Sequence, residues 1–102
     1  QICLAVHELA TNAVKYNFPV STNTEVRVRW ELLDDHQFEF CWDEGLSAEA
    51  VKRFENSERK GFGSKLLDKL VPTFLRGKAE RKITGSRLIY RLEIPSASLL
   101  AQ

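Results

Sequence analysis

Residues 7–16, HELATNAVKY, constrain the chain more than any other stretch. Set on a helix at about 100° per residue, Ile2, Val6, Leu9, Ala13 and Tyr16 share one stripe, while Glu8, Asn12 and Lys15 share another. Cys3, Ala10 and Val14 make a third side apolar. An acid, an amide and an ammonium then form a narrow polar wedge on a helix expected to be otherwise buried, and such groups cost stability unless something pairs them. The wedge suits a metal carrying a phosphate chain, because Mg2+ takes oxygen ligands, keeps several waters and needs few protein groups. On this reading Asn12 gives one oxygen, Glu8 orients or deprotonates a nucleophile, and Lys15 neutralises phosphate charge. A solvated face on an amphipathic helix accounts for the same pattern.

At 102 residues, 43% hydrophobic and 28% charged, the chain has material for one domain (1–102) with a modest core and no second. It opens Gln-Ile-Cys, already inside the helical pattern, and is expected to be a piece of a longer protein with its N-terminal helix incomplete. No apolar run approaches the length that spans a bilayer and no signal peptide is present, so the expected location is cytoplasmic, without membrane contact. Cys3 and Cys41 read as reduced core residues rather than a disulfide or metal pair. Residues 1–58 hold 5 Lys/Arg against 11 Asp/Glu and residues 59–102 hold 10 against 3. A basic second half suits a polyphosphate, an acidic partner or nucleic acid, or it neutralises the first half across the fold.

After the helix, Asn17-Phe18-Pro19 stops the pattern, because proline cannot continue it and biases the preceding residue away from helical angles. Residues 18–23 are expected as loop. From Thr24, Val26, Val28, Trp30 and Leu32 alternate with charged residues, predicting a half-buried strand. Asp34-Asp35 is the turn into a partner strand in which Phe38, Phe40 and Trp42 face inward and the inward row ends at Glu44. Residues 47–60 predict a short helix capped by Ser47, with Ala48, Val51 and Phe54 inward, followed by an exposed charged run. Gly61-Phe62-Gly63-Ser64 then opens a helix, Lys65 to Leu75, with Leu66, Leu67, Leu70, Val71 and Phe74 at core spacing and Pro72 kinking or shortening it. Glycines before a helix let backbone N–H groups approach an anion. Gly61 and Gly63 are therefore phosphate candidates, with Ser64 as cap or phosphate donor and Lys65 adding charge; a plain turn and cap gives the same spacing. Gly77 turns the chain into a hairpin, Lys78 to Thr84 and Arg87 to Pro95, and 96–102 form a tail.

HELATNAVKY resembles the N-box of the histidine kinase and GHKL ATPase superfamily, and its wording is particularly like the HWE group of bacterial sensor histidine kinases. Trp-x-Glu at 42–44, a polar stretch from Leu46 to Lys60 and GFGSKLL at 61–67 follow in the order that this resemblance requires. The resemblance implies the Bergerat ATP-binding fold: a two-layer α/β sandwich, its sheet mixed and largely antiparallel, with helices on one face. It implies that ATP and Mg2+ bind between the N-box helix and a lid, that Asn12 carries the Mg2+, and that Glu8 is the base or orienting group. It further implies that an acid at the end of the second strand accepts a hydrogen bond from the adenine amino group, beside a glycine that lets the base approach. Strand parity selects Glu44 for this role, and a shifted register pairs Asp43 with Gly45 as Asp-x-Gly. The sequence departs from the family here, since Gly45 follows Glu44 directly where a glycine two positions on is usual. Tyr16 matches the N-box pattern and touches nucleotide or core. His7, about 100° from Glu8 on the helix, reads as a structural histidine, and neither it nor His36 reads as a phosphoacceptor.

The activity implied is that of a protein histidine kinase acting on a histidine in an upstream dimerisation and phosphoacceptor domain. A sensor domain and a response regulator complete its partners. A module of the same fold that has lost nucleotide turnover is the alternative, suggested by the irregular Glu44-Gly45-Leu46 stretch. Nucleic-acid binding is disfavoured because the basic half shows no aromatic stacking platform.

Overall fold

The computed structural model describes residues 1–34, 36–58 and 62–101. Helix α1 (Ile2–Asn12) runs without a break into a π-helical turn, Ala13–Asn17, closed by the Phe18 N–H donating to the Ala13 carbonyl at 2.9 Å. Strands β1 (Val26–Leu32) and β2 (Gln37–Gly45) follow, then α2 (Ala48–Glu58) and α3 (Phe62–Lys65). A second π-helical turn, Leu66–Leu70, joins α3 to α4 (Val71–Phe74). The chain ends with β3 (Lys78–Thr84), β4 (Arg87–Pro95) and α5 (Ser98–Ala101).

The sheet order is β1-β2-β4-β3, and each pairing among the described strands is antiparallel. The expected two-layer α/β sandwich is present. Ala5, Leu9 and Ala13 from the first helix, with Leu67, Val71 and Leu75 from the second, pack on Phe40, Trp42, Tyr90, Leu92 and Ile94. A second cluster, Leu46, Ala50, Phe54 and Leu88, lies under α2, with Tyr16 and Ile83 packed against it. Both clusters use the inward row that the period-2 pattern marks on β2 and β4.

Several expectations are corrected. Strand β1 begins at Val26 rather than Thr24, and its apolar row is not covered: Trp30 and Leu32 are 66% and 64% exposed. Alternation marks which face is apolar but not whether another layer lies over it. Cys3, Ala10 and Val14 are exposed, so the third side of α1 faces outward and only Cys41 of the two free thiols is buried.

Leu70 and Phe74, placed in the core by 3.6-residue spacing, are exposed, while Leu75 is buried. The cause is the π turn, in which the Val71 N–H reaches back to the Leu66 carbonyl. That turn holds one residue more than an α turn and rotates everything after it. It also precedes Pro72, which sits in the first turn of α4. In α2, Ser47 caps as expected, its hydroxyl accepting from the Ala50 N–H at 3.1 Å, but Ala50 rather than Ala48 turns inward. The readings of Asp35, Arg59, Lys60 and Gly61 lie outside the described residues.

Two glycines shape the closing hairpin. Gly85 adopts φ +59 in the β3–β4 turn. Gly77 sits so close to β4 that a Cβ there would lie 2.2 Å from the Glu93 carbonyl oxygen.

Candidate functional site

Asn12, at the end of α1, and Ser64, in α3, line one cavity, although they belong to motifs at opposite ends of the chain. Leu9, Leu67 and Leu88 form its apolar wall, Phe54 and Ser57 of α2 also line it, and its volume is about 20 Å3. Tyr16 meets the Phe54 ring edge-on, with centroids 5.5 Å apart. Glu8 is half-buried one turn before Asn12, whereas His7, Lys15 and Lys65 are exposed. Phe62 and Gly63 lie in the first turn of α3.

The same cavity is lined by Arg81, which the sequence reading did not single out. The signal was present: on β3 the inward row reads Ala79, Arg81, Ile83, placing a cation between two apolar residues. Asp68 holds it from the helical layer, accepting from Arg81 Nε at 3.1 Å and from Nη2 at 3.0 Å.

The strand acid is placed differently. Glu44 ends the inward row of β2, between Val26 and Leu88, with no solvent exposure. Asn17 Nδ2 donates to its Oε2 at 2.7 Å and Trp42 Nε1 to its Oε1 at 2.9 Å. Asn17 also donates to the Gly45 carbonyl at 2.9 Å and accepts from Ser21 Oγ. Burial raises the Glu44 carboxyl above the usual glutamate range, and the two donors, Trp42 then Asn17, pull it back by favouring the ionised form.

Asn17 is a second residue that the sequence pattern does not reveal, marking it only as a helix stop. It ends a π turn, a feature recurrent at functional positions. Asp43 lies on the opposite face of the sheet, where Arg87 Nη2 reaches its Oδ1 at 2.6 Å and ties the acidic half to the basic half. Gly45 has room for a side chain, since an added Cβ would meet nothing closer than 3.7 Å.

The fold has a counterpart among solved structures. Its backbone matches the histidine kinase domain of a blue-light-activated histidine kinase from Erythrobacter litoralis with a TM-score of 0.69 at 21% identity, covering 94% of this chain and 43% of that one. The particular relatives agree. The chain is 29% identical over 97 residues to the blue-light-activated histidine kinase of Brucella ovis and 32% identical over 97 residues to that of Brucella anthropi. Each match covers 92% of this chain and 19% of the relative's own length. No family model matches. The resemblance carried by the motifs is thus found again in sequence relatives named as histidine kinases and in the fold of a histidine kinase domain.

Proposed function

We propose that the chain is the ATP-binding catalytic domain of a two-component sensor histidine kinase of the HWE group. It binds Mg-ATP between the first helix, α2 and the 61–64 stretch, and transfers the γ-phosphate to a histidine outside these residues. The observation that carries this reading is the meeting of Asn12 and Ser64 at one cavity, each supplied by the motif that led us to expect it.

The donor set fits the metal. Asn12 offers one neutral oxygen, and the described residues hold no group of three His, Cys, Asp or Glu that would cage an ion. Mg2+ held by few protein groups, water and phosphate needs no such cage. Bound there, the ion supplies charge neutralisation on the phosphate oxygens.

In this reading Glu8 orients or deprotonates the accepting histidine, and Lys15 and Lys65 add positive charge at the rim. The 61–63 backbone and Ser64 hold phosphates. Glu44 accepts from the adenine amine beside Gly45 and Tyr16, with Asp43 the alternative in the shifted register. A cavity of about 20 Å3 is far below the few hundred Å3 of a typical ligand pocket, so α2 lifts, taking Phe54 with it, to admit the nucleotide. The partners are the upstream phosphoacceptor and sensor domains and a response regulator, in the cytoplasm, with no role for nucleic acid. Among the described residues no helix is long and apolar enough to cross a membrane.

A second reading, the same fold without nucleotide turnover, is favoured by Glu44, whose two oxygens already have partners inside the core. Calorimetric titration with ATP and Mg2+ separates the two. Binding by the wild type that weakens in Asn12→Ala and Glu44→Ala, and on chelation of the metal, supports the kinase domain. Absence of binding by the folded protein at millimolar ATP gives the site to the second reading.

A further inference from the structure

Arg81 occupies an unusual place for a cation. Its strand partners across the sheet, with those of its row neighbours, are Tyr90, Leu88 and Leu92, all buried. The Arg81 side chain is only 12% exposed, against 39% for Asp68. Taking a guanidinium out of water is costly, and an ion pair recovers that cost only with good geometry; an apolar pair would join β3 to the helix at least as well. The paired nitrogens and oxygens at 3.0 and 3.1 Å satisfy the geometry, but the cation remains a poor choice if fastening is its only task.

Its position suggests the task. Among the described residues lining the cavity with Asn12 and Ser64, Arg81 is the cation, whereas Lys15 and Lys65 are exposed. A phosphate chain reaching from a metal on Asn12 to the Ser64 hydroxyl would pass the guanidinium. Arginine's planar fork matches phosphate oxygens in a way that an ammonium does not.

We infer that Arg81 is a phosphate-binding residue of this site, and that Asp68 is the positioning residue that fixes the plane of its guanidinium. The inference rests on the nucleotide reading above and adds to it a contact from the sheet, opposite those from the two helices.

The test titrates wild type, Arg81→Gln and Asp68→Asn with Mg-ATP and separately with adenosine, which has the base and sugar but no phosphate. Arg81→Gln is expected to weaken Mg-ATP binding by about 10- to 100-fold, as for loss of a charged hydrogen bond, and to leave adenosine binding unchanged. Asp68→Asn gives a smaller loss of the same selectivity, and Asp68→Glu restores it. A purely structural pair would not move the ratio of the two affinities. Should Arg81→Gln fail to fold, Arg81→Lys keeps the charge but not the fork, and is expected to lose part of the Mg-ATP preference. A wild type that binds both ligands, with variants that change neither affinity or both alike, overturns the inference alone. A wild type that binds neither ligand overturns the nucleotide reading, and the inference falls with it.

Discussion

The Asn17 amide donates to Glu44 Oε2 across 2.7 Å, joining the end of the first helix to the end of β2 inside the core. Both residues are fully buried, and neither is left with a mismatched group. Asn17 uses both amide hydrogens, on Glu44 and on the Gly45 carbonyl, and its oxygen takes the Ser21 hydroxyl. Ser21 Oγ in turn accepts from the Ser47 N–H at 3.2 Å. One side chain therefore fixes the helix end, the following loop, the strand acid and the start of α2. The π turn makes this possible by carrying Asn17 to a position an unbroken α-helix would not give it.

Glu44→Gln tests the charge state of this network. Burial places the folded carboxyl above the ordinary glutamate value, so the folded chain holds its proton to higher pH than the unfolded chain does. The group's contribution is then complete below the ordinary value and is lost as pH rises through the raised one. The stability difference, wild type minus Glu44→Gln, should increase as pH falls from neutral toward the ordinary glutamate range. At neutral pH the glutamine amide would point a donor at Asn17 or Trp42, at a cost of about 1–3 kcal/mol. Urea unfolding of both proteins between pH 4 and 7 measures the two effects. A difference that is flat with pH would show that Glu44 carries the same charge in both states.

Phe54→Ala addresses the small size of the cavity. Phe54 is buried against Leu46, Ala50 and Leu88 and touches Tyr16, so its truncation should cost about 3–5 kcal/mol of global stability. The same truncation removes a contact that holds α2 over Asn12. A ligand's apparent affinity is reduced by the fraction of protein in the competent state, so Mg-ATP should bind the variant more tightly than the wild type under conditions where both are folded. Calorimetry beside a melting curve reads both numbers. Equal affinities would mean that α2 does not limit access.

The two inner strands were legible in the sequence because one face of each is covered: Phe38, Phe40 and Trp42 on β2 and Leu88 to Ile94 on β4 alternate cleanly. The same alternation on β1 misleads, since Val28 and Trp30 have the pattern of a covered face without the cover. For the candidate site, the stretches HELATNAVKY and GFGS point to Asn12 and Ser64, which the fold brings together. Arg81 and Asn17 were not found. Arg81 breaks an apolar row by one residue, a signal visible only once the row is known to face the helices. Asn17 depends on a π turn, for which 3.6-residue periodicity has no place; the same turn type explains why Leu70 and Phe74 were assigned to the core.

Gly77→Ala and Gly85→Ala should separate two reasons for glycine. At position 77 the added methyl would fall 2.2 Å from the Glu93 carbonyl oxygen and 2.6 Å from Ile94 Cγ2. Because the nearest atom is backbone, β4 must shift, and we expect a loss of about 3 kcal/mol or more. At position 85 the space is open but φ is +59, so only the left-handed conformation is penalised, by about 1–2 kcal/mol. Denaturant midpoints of the two variants give the order, and a Gly85 variant less stable than the Gly77 variant would contradict it.

Tyr90→Phe tests what stabilises the second π turn. The Tyr90 hydroxyl, fully buried beneath the helical layer, donates to the Leu67 carbonyl at 2.7 Å. That carbonyl lies in the turn Leu66–Leu70, where the α-helical ladder is interrupted. Removing the hydroxyl leaves a buried acceptor without this donor, for an expected loss of about 1–3 kcal/mol. Burial, followed by the nearby Asp68 charge, holds the Tyr90 phenol well above the ordinary tyrosine value. Alkaline absorbance titration of the folded wild type should therefore show a late-ionising tyrosine that is missing from the variant. Hydrogen exchange should show faster opening of residues 66–70 in Tyr90→Phe, together with the lower unfolding midpoint. Unchanged exchange in that segment would mean that the turn is set by packing of Leu67 and Val71 alone.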